Sequence, residues 1–396
     1  GGIDNLGGDY LAWLLSTAAV CLALPACNDK PQPSADAAAV SVELSPVPKP
    51  ANLAATLTVG KPGETWAKLR ETGGGPARLL PQSFGLLVST FLGLPAAAAD
   101  AIDADVVLTG AALSDDKGNL EIAIAIHVRS GRDLVTRLSA GGDAIYSARE
   151  DSASGITLLE AKPGKAPTGV ALGVLGNYLL AGREASALTQ AGPYAARTLP
   201  KQPAPQVPVL VSLEKRALSG PVAQAIREAW KGKQAELSKL DDVNRQKHGG
   251  RAPDFGDPRA ALAGLSGTID GFINLLQSAA SGRIVVEPQG DRLEVNVELD
   301  AEEQGAAADL VAALAVGDAE PITALPVSTP IVVLNRTTAA TRQASAKSMN
   351  EGVAGLFGDR LTVPDREKVK AVLEKLSEGR GDWETYGVYL DQGKGG

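Results

Sequence analysis

Residues 104–128 read ADVVLTGAALSDDKGNLEIAIAIHV. In 120–128 the residues Ile122, Ile124 and Ile126 alternate with Ala123 and Ala125. A period of two is the signature of a strand, because successive side chains leave opposite faces of a sheet. The stretch 104–113 is apolar and rich in small and β-branched residues. Between them lies Asp115–Asp116–Lys117–Gly118–Asn119. Glycine tolerates positive φ there, and Asp and Asn side chains bond to nearby backbone, so this is turn chemistry. The stretch predicts a β-hairpin with arms over 104–113 and 120–128.

Upstream, 52–59 alternates with Leu53, Ala55, Leu57 and Val59 on one face, which predicts a strand. Pro62 and Glu64 open a helix to about residue 71. Gly73, Gly74, Gly75 and Pro76 break the chain. Phe84, Leu87, Val88, Phe91 and Leu92 then form the i, i+3, i+4, i+7 stripe of a helix facing a core. Downstream of the hairpin a short helix is expected over 132–138. A β-rich insert follows over 144–182, with strands near 156–161, 168–174 and 178–181, then a helix over 184–191.

The same order recurs. A strand is expected over 207–214, and Pro221 opens a long helix with Val222, Ile226, Trp230, Leu237 and Leu240 inward. A polar loop, 241–258, precedes a helix carrying Leu262, Leu265, Ile269, Phe272, Ile273 and Leu276. A second hairpin is expected over 283–287 and 292–299, and a closing helix over 301–316. A third pass has a strand at 331–335, helices near 339–357 and 364–378, and a strand over 383–390. The fold class expected is therefore α+β: repeated strand–helix–helix–hairpin–helix units forming antiparallel or mixed sheets packed against helices.

Tyr10 to Ala26 is apolar apart from Ser16 and Thr17, the pattern of a secretory leader. Leu24, Pro25 and Ala26 precede Cys27 and resemble the lipobox of bacterial lipoproteins, with Pro25 where Ala or Ser is usual. That resemblance implies that the Cys27 thiol carries diacylglycerol, that the leader is cut before it and that the new amino group is acylated. Several acyl chains anchor a protein stably to a membrane. A plain secretory leader and a retained membrane anchor are the other readings of the same stretch. Pro31, Pro33, Pro46, Pro48 and Pro50 give 28–50 the composition of an extended, mobile tether. The expected organisation is a lipoprotein-type signal peptide at 1–27, the tether at 28–50, a first α+β unit at 51–200, a second at 201–320 and a partial third at 321–396. Met349 is the sole methionine. The third unit stops in a turn-like Gly-rich end, so the native product is expected to be longer at both ends.

Composition narrows the function classes. With 38 Lys and Arg against 46 Asp and Glu, and 4% aromatic residues, the chain lacks both the basic field and the stacking platforms that bind nucleic acid. Cys21 and Cys27 are the only cysteines, so no disulfide or thiol chemistry is expected in the body. The two histidines, His127 and His248, cannot make a His-rich metal site and read as solvated residues on a strand and a loop. Asp115, Asp116, Gly118 and Asn119 lack the alternate-position ligands of a calcium loop and read as a turn. Glu302 and Glu303 are expected at a helix start, where acids complement the dipole. The glycine runs Gly73–Gly75 and Gly141–Gly142 fit no nucleotide-binding pattern. The charges from Arg366 to Lys375 read as a solvated helix face. No catalytic residue, cofactor or metal ligand is expected.

The segment GNYLLAG at 176–182, followed by Glu184 and Ala185 and then by Tyr194 with Leu199 and Pro200, resembles an element of bacterial exported lipoproteins whose body is a domain of unknown function. The resemblance spans residues 51 to 300 and implies pairing with a helix like 133–138 and a strand like 209–213. It brings no catalytic residues. Three functions follow as expectations. The first is a non-catalytic, lipid-anchored protein on the periplasmic side or outer surface of the cell envelope, structural or bound to another envelope component. The second is a carrier of an apolar small molecule or lipid in a cavity between sheet and helices. The third, a hydrolase, is disfavoured by the scarcity of histidines.

Overall fold

The computed structural model describes residues 43–396, apart from 74–76, 78, 116, 166–168, 248–257, 291, 314–316, 318–319, 321–322, 324–330, 340–341, 344, 348, 351–361 and 389–396. Cys27, the leader, tether positions 28–42, Asp116 and His248 therefore lie outside the described residues. Contacts divide the chain into two compact units. One holds the residues up to Ala225 together with Ala279–Asp300, and the other holds Ile226–Ser278 and the residues from Ala301 on. This division cuts across the expected spans, because strands from 51–200 and from 201–320 share one sheet.

That sheet has ten strands: β1 Leu53–Val59, β2 Leu108–Ser114, β3 Leu120–His127, β4 Tyr146–Asp151, β5 Ile156–Ala161, β6 Ala171–Leu175, β7 Tyr178–Gly182, β8 Val209–Glu214, β9 Ala279–Gln289 and β10 Arg292–Ala301. Their order is β10-β9-β8-β1-β2-β3-β7-β6-β5-β4, and the sheet is antiparallel. The α+β class is as read from the sequence. The opening hairpin forms with Gly110 opposite Ile124 and Ala112 opposite Ile122. Its first arm starts at Leu108, later than expected, because Ile102 already bridges Val128 and 103–107 make the turn between them. The insert is no appendage: β7 pairs with β3, and β4 to β6 extend the sheet from there.

Alternation gives the sheet two faces. Leu57, Leu108, Ile126, Leu179, Leu172 and Leu159 lie on the first. Over β2 to β5 this face is covered by α2 (Phe84–Phe91), a 3-10 turn (Ala96–Ala101) and α3 (Gly131–Ser139), which bring Val88, Leu92, Ala98, Leu134 and Leu138 into one core. Ser83 and Ser130 cap α2 and α3 by accepting the Leu86 and Asp133 N–H groups. The second face carries Ala111, Ala123, Ala125, Leu158 and Leu180 under α4 (Ala185–Arg197). Small residues on both sides (Ala123 and Ala125 against Ala187, Ala191 and Ala195) let this helix lie close to the strands. Register slips between Leu53 and Ala55, and so Leu53 joins the second core while Ala55 and Leu57 face the first.

Thr109 is a polar residue buried completely between β2 and α4. Its hydroxyl donates to the Ala195 carbonyl at 2.7 Å and satisfies an acceptor near the helix end. Thr109→Val keeps the shape but orphans that carbonyl. Denaturant unfolding should show a loss of about 1–3 kcal/mol, the usual penalty for an unsatisfied buried group. A loss indistinguishable from zero would mean that the hydroxyl adds nothing.

Ahead of β1, residues 43–50 differ from the free tether expected. They have no regular secondary structure, but they are pinned. Leu44 and Val47 pack against the second core. The Val47 N–H donates to Thr198 Oγ1 at 2.9 Å, the Thr198 hydroxyl donates to the Val47 carbonyl at 2.7 Å, and Lys49 pairs with Glu214 at 2.6 Å. Two apolar side chains and a reciprocal hydrogen-bond pair outweigh the tendency of a Pro-rich segment to stay loose.

The helix α1 (Pro62–Thr72) follows β1 and buries Trp66 with Ala77 and Leu80; the indole N–H donates to the Pro81 carbonyl at 2.9 Å. After β8, a helical turn (Lys215–Ala217) and a wider turn (Leu218–Val222) lead into α5 (Ala223–Lys247). The β8 and β1 strands pair antiparallel, with Leu57 opposite Val211. On either side of this pair the next strand in space, β2 or β9, is the first arm of a hairpin.

In the other unit, α5 from Ile226 on is joined to α6 (Pro258–Gln277) where Trp230 Nε1 and Gln234 Nε2 donate to Ser266 Oγ. Ile273 and Leu276 are buried, but Phe272 is exposed, so the inward stripe is narrower than expected. Glu302 and Glu303 do not start a helix. Gly305, at φ +106, separates them from α7 (Ala306–Ala313), and the Ala307 N–H is capped by Ser278 Oγ instead. A two-stranded sheet pairs β11 (Ile331–Arg336) with β12 (Trp383–Val388), Ile331 opposite Val388, with α8 (Val363–Gly379) between them in sequence. Among the described residues β12 has a strand neighbour on one side only. As expected from its charges, α8 buries none of its residues.

Candidate docking surface

The sequence reading singled out His127, and the structure engages it. Its Nδ1 lies 3.1 Å from Asp103 Oδ2, and the Asp103 N–H donates to the His127 carbonyl at 2.9 Å. Tyr178, directly opposite on β7, meets the imidazole edge-on with ring centres 5.2 Å apart. Burial raises the Tyr178 phenol above its ordinary value. His127 is thus a half-buried staple and not the solvated residue expected: it ties the end of β3 to the bridge made by Ile102. Among the described residues Asp103 is the only side chain hydrogen-bonded to His127.

The Asp115 turn uses up its own carboxylate. Oδ1 accepts the backbone N–H groups of Lys117 and Asn119, both at 2.8 Å, and Oδ2 accepts Asn119 Nδ2 at 2.8 Å. Gly118 takes φ +83. The Asn119 side-chain bond is the main cause that holds the Asp115 carboxyl below the usual range. Because the folded value is the lower one, the turn's contribution is complete above the unfolded carboxylate's ordinary pKa of about 4 and is lost as pH falls through the folded value. An NMR titration of Asp115 should therefore give a midpoint below those of the chain's freely exposed aspartates. An equal midpoint would remove the turn's hydrogen bonds from the account. Among the described residues no group of three or more His, Cys, Asp or Glu is placed to hold a metal ion.

Two hollows among the described residues open to solvent. One is lined by Pro95, Arg137, Leu138 and the loop through Gly141, Gly142 and Asp143; the other by Arg342, Met349, Leu373 and Leu376.

The remaining surface of note is part of the sheet itself. Along β8, β9 and β10 the first face continues with Val209 and Val211, Ile284 and Val286, then Val295 and Val297. The second face of the same strands is mixed: Leu210 lies opposite Val285, while Arg283 pairs with Glu298 at 2.6 Å and the Ser281 hydroxyl donates to Asp300. Alternation has therefore built an apolar face here as it did over β2 to β7. Yet Leu293, Val295 and Val297 on β10 stay 47%, 55% and 63% exposed. Large apolar side chains grouped on one exposed face mark interaction sites. The strand β10 is also the sheet's edge, and among the described residues no strand pairs with its outer side. Sequence reasoning found this hairpin but assigned it no role, since a strand that faces a helix and one that faces a partner have the same alternation.

No helix among the described residues is long and apolar enough to cross a membrane. Comparison with family models, with curated proteins and with solved structures finds no match to this chain.

Proposed function

We propose that this chain is a non-catalytic lipoprotein of the bacterial envelope, anchored through Cys27, whose body docks a protein partner in the envelope at the exposed apolar face and open edge of β10. The observation that carries the docking role is the exposure of Leu293, Val295 and Val297 on an edge strand whose opposite face is polar. Support for the address comes from the Leu24–Pro25–Ala26–Cys27 resemblance and from the resemblance of 176–182 to exported lipoproteins. We read β1 to β3 and β8 to β10 as two copies of one ancestral unit, since in each a strand, helical segments and a hairpin follow in turn and the hairpin's first arm lies antiparallel beside the strand.

The experiment has two arms in cells that make the full chain with a start codon supplied upstream. Cys27→Ser should move the protein from the membrane fraction to the soluble one and abolish labelled fatty-acid uptake. The double variant Val295→Lys, Val297→Lys should keep its melting temperature, because both sites are solvent-exposed, yet migrate as the bare monomer on native gels where the parent migrates larger. If the double variant and the parent migrate alike, the docking role is wrong.

A further inference from the structure

We infer that the outer edge of β10 pairs antiparallel with β10 of a second copy of the same chain, about a two-fold axis at Val295. This rests on the docking role proposed above and names its partner.

The argument begins with the edge. An unpaired outer strand presents a row of free N–H and C=O groups, and a long apolar one invites pairing unless charges, proline or a bulge prevent it. No residue from Arg292 to Ala301 is proline or glycine, the strand is ten residues long, and its charges, Arg292, Glu294, Glu298 and Asp300, all alternate onto one face. Two copies that add β10 to β10 around an axis normal to the sheet keep like faces on the same side. Only registers that place residues of the same face opposite each other are then allowed.

Charge and overlap decide among these registers, since an axis at Leu293 would overlap the two strands over residues 292–294 alone. In β10 the polar face carries Arg292, Glu294, Asn296, Glu298 and Asp300. With the axis at Asn296, Glu294 faces Glu298 of the other copy twice. With the axis at Val297, Glu294 faces Asp300. With the axis at Glu294, that residue faces itself. Like charges directly opposite in a ladder are destabilising. With the axis at Val295, Arg292 faces Glu298 and Glu294 faces Asn296, each twice, and no like charges meet. On the apolar side Val295 meets Val295 and Leu293 meets Val297, so the three most exposed apolar residues of the strand are the three that pair. As with β1 and β8 within one chain, the two strands would lie antiparallel, each with a further antiparallel neighbour outside. Such an interface is isologous and closes at two copies, which leaves no free edge on that side to grow a fibre.

The test uses the full chain with Cys21→Ser and Cys27→Ser, purified in mild detergent, so that each added thiol is the only one present. Residues directly opposite in a ladder have Cβ atoms about 5 Å apart, and those two places along are about 7–8 Å apart. A short dithiol-reactive reagent should therefore convert Val295→Cys chains almost wholly to a covalent dimer. It should leave Arg292→Cys chains monomeric, and it should join Arg292→Cys to Glu298→Cys chains when the two are mixed. Separately, Arg292→Glu places two like-charge pairs across the axis and should weaken the dimer by about tenfold in sedimentation equilibrium. Val295→Cys chains that stay monomeric, or Arg292→Cys chains that crosslink as well as Val295→Cys, would overturn the inference. If they do so while the double lysine variant still loses the larger native-gel species, the docking role stands with a different partner. If that species is unchanged as well, the docking role falls too.

Discussion

A Gly131→Ala chain should lose about 3 kcal/mol of stability or more, the upper range for forcing atoms into a filled core. A Cβ at residue 131 would lie 1.9 Å from the Gly176 carbonyl oxygen and 2.8 Å from Val174 Cγ1. The oxygen is backbone, so it cannot swing away as a side-chain tip can. It belongs to the tight turn between β6 and β7, where Gly176 itself takes φ +58. The Gly131 N–H also donates to Asn177 Oδ1 at 3.2 Å, and the Val128 N–H donates to the Asn177 carbonyl at 2.8 Å. Displacing α3 from this turn therefore breaks the seat that carries Leu134 and Leu138 into the first core. Urea unfolding compared with the parent measures the loss, and a change under about 1 kcal/mol would show that the turn yields more easily than its contacts imply.

The second large effect lies on the other face. Leu180→Ala should destabilise the chain by about 3–4 kcal/mol, in the range for a leucine whose removal leaves a cavity. Leu180 is wholly buried, and its Cδ1 lies 2.8 Å from where a Cβ on Gly192 would stand. Leucine on β7 and glycine on α4 thus fill one space between them. Gly192→Ala alone should be destabilising despite alanine's better helix propensity. Added to Leu180→Ala it should recover part of the loss, because the methyl enters the vacated volume and a helical glycine is removed. A double-mutant cycle with a coupling energy near zero would separate the two residues and contradict that packing.

Much of the sheet was legible because alternation is a local property. Ile122, Ile124 and Ile126 announced β3, and the Asp115–Asn119 turn announced its partner. What local pattern could not supply was contact between distant segments. The strand β4 went unassigned because only Tyr146 and, in part, Asp151 face protein, and its charged residues read as loop. Asp103 could not be joined to His127 from sequence, since the Ile102–Val128 bridge is what brings them together. The apolar face of β10 was visible as Leu293, Val295, Val297 and Leu299, but its exposure was not. Whether a helix comes to lie over a strand is decided by chain connections far from that strand.

The placement of β1 inside the sheet, between β2 and β8, has a consequence for how the chain is made. Its two neighbours arrive at very different times: β2 soon after, β8 only once β2 to β7 and α4 have all been synthesised. At ordinary elongation rates the interval between β1 and β8 is on the order of ten seconds. Throughout it the face of β1 that carries Leu57 and Val59 borders an unfilled edge, with Thr56 and Thr58 on the other side. Long-range pairing of this kind is slow to form and leaves strand edges open to intermolecular pairing in the meantime. Nascent chains halted before residue 209 should therefore bind chaperones that recognise extended apolar segments, and release from them should coincide with the emergence of β8.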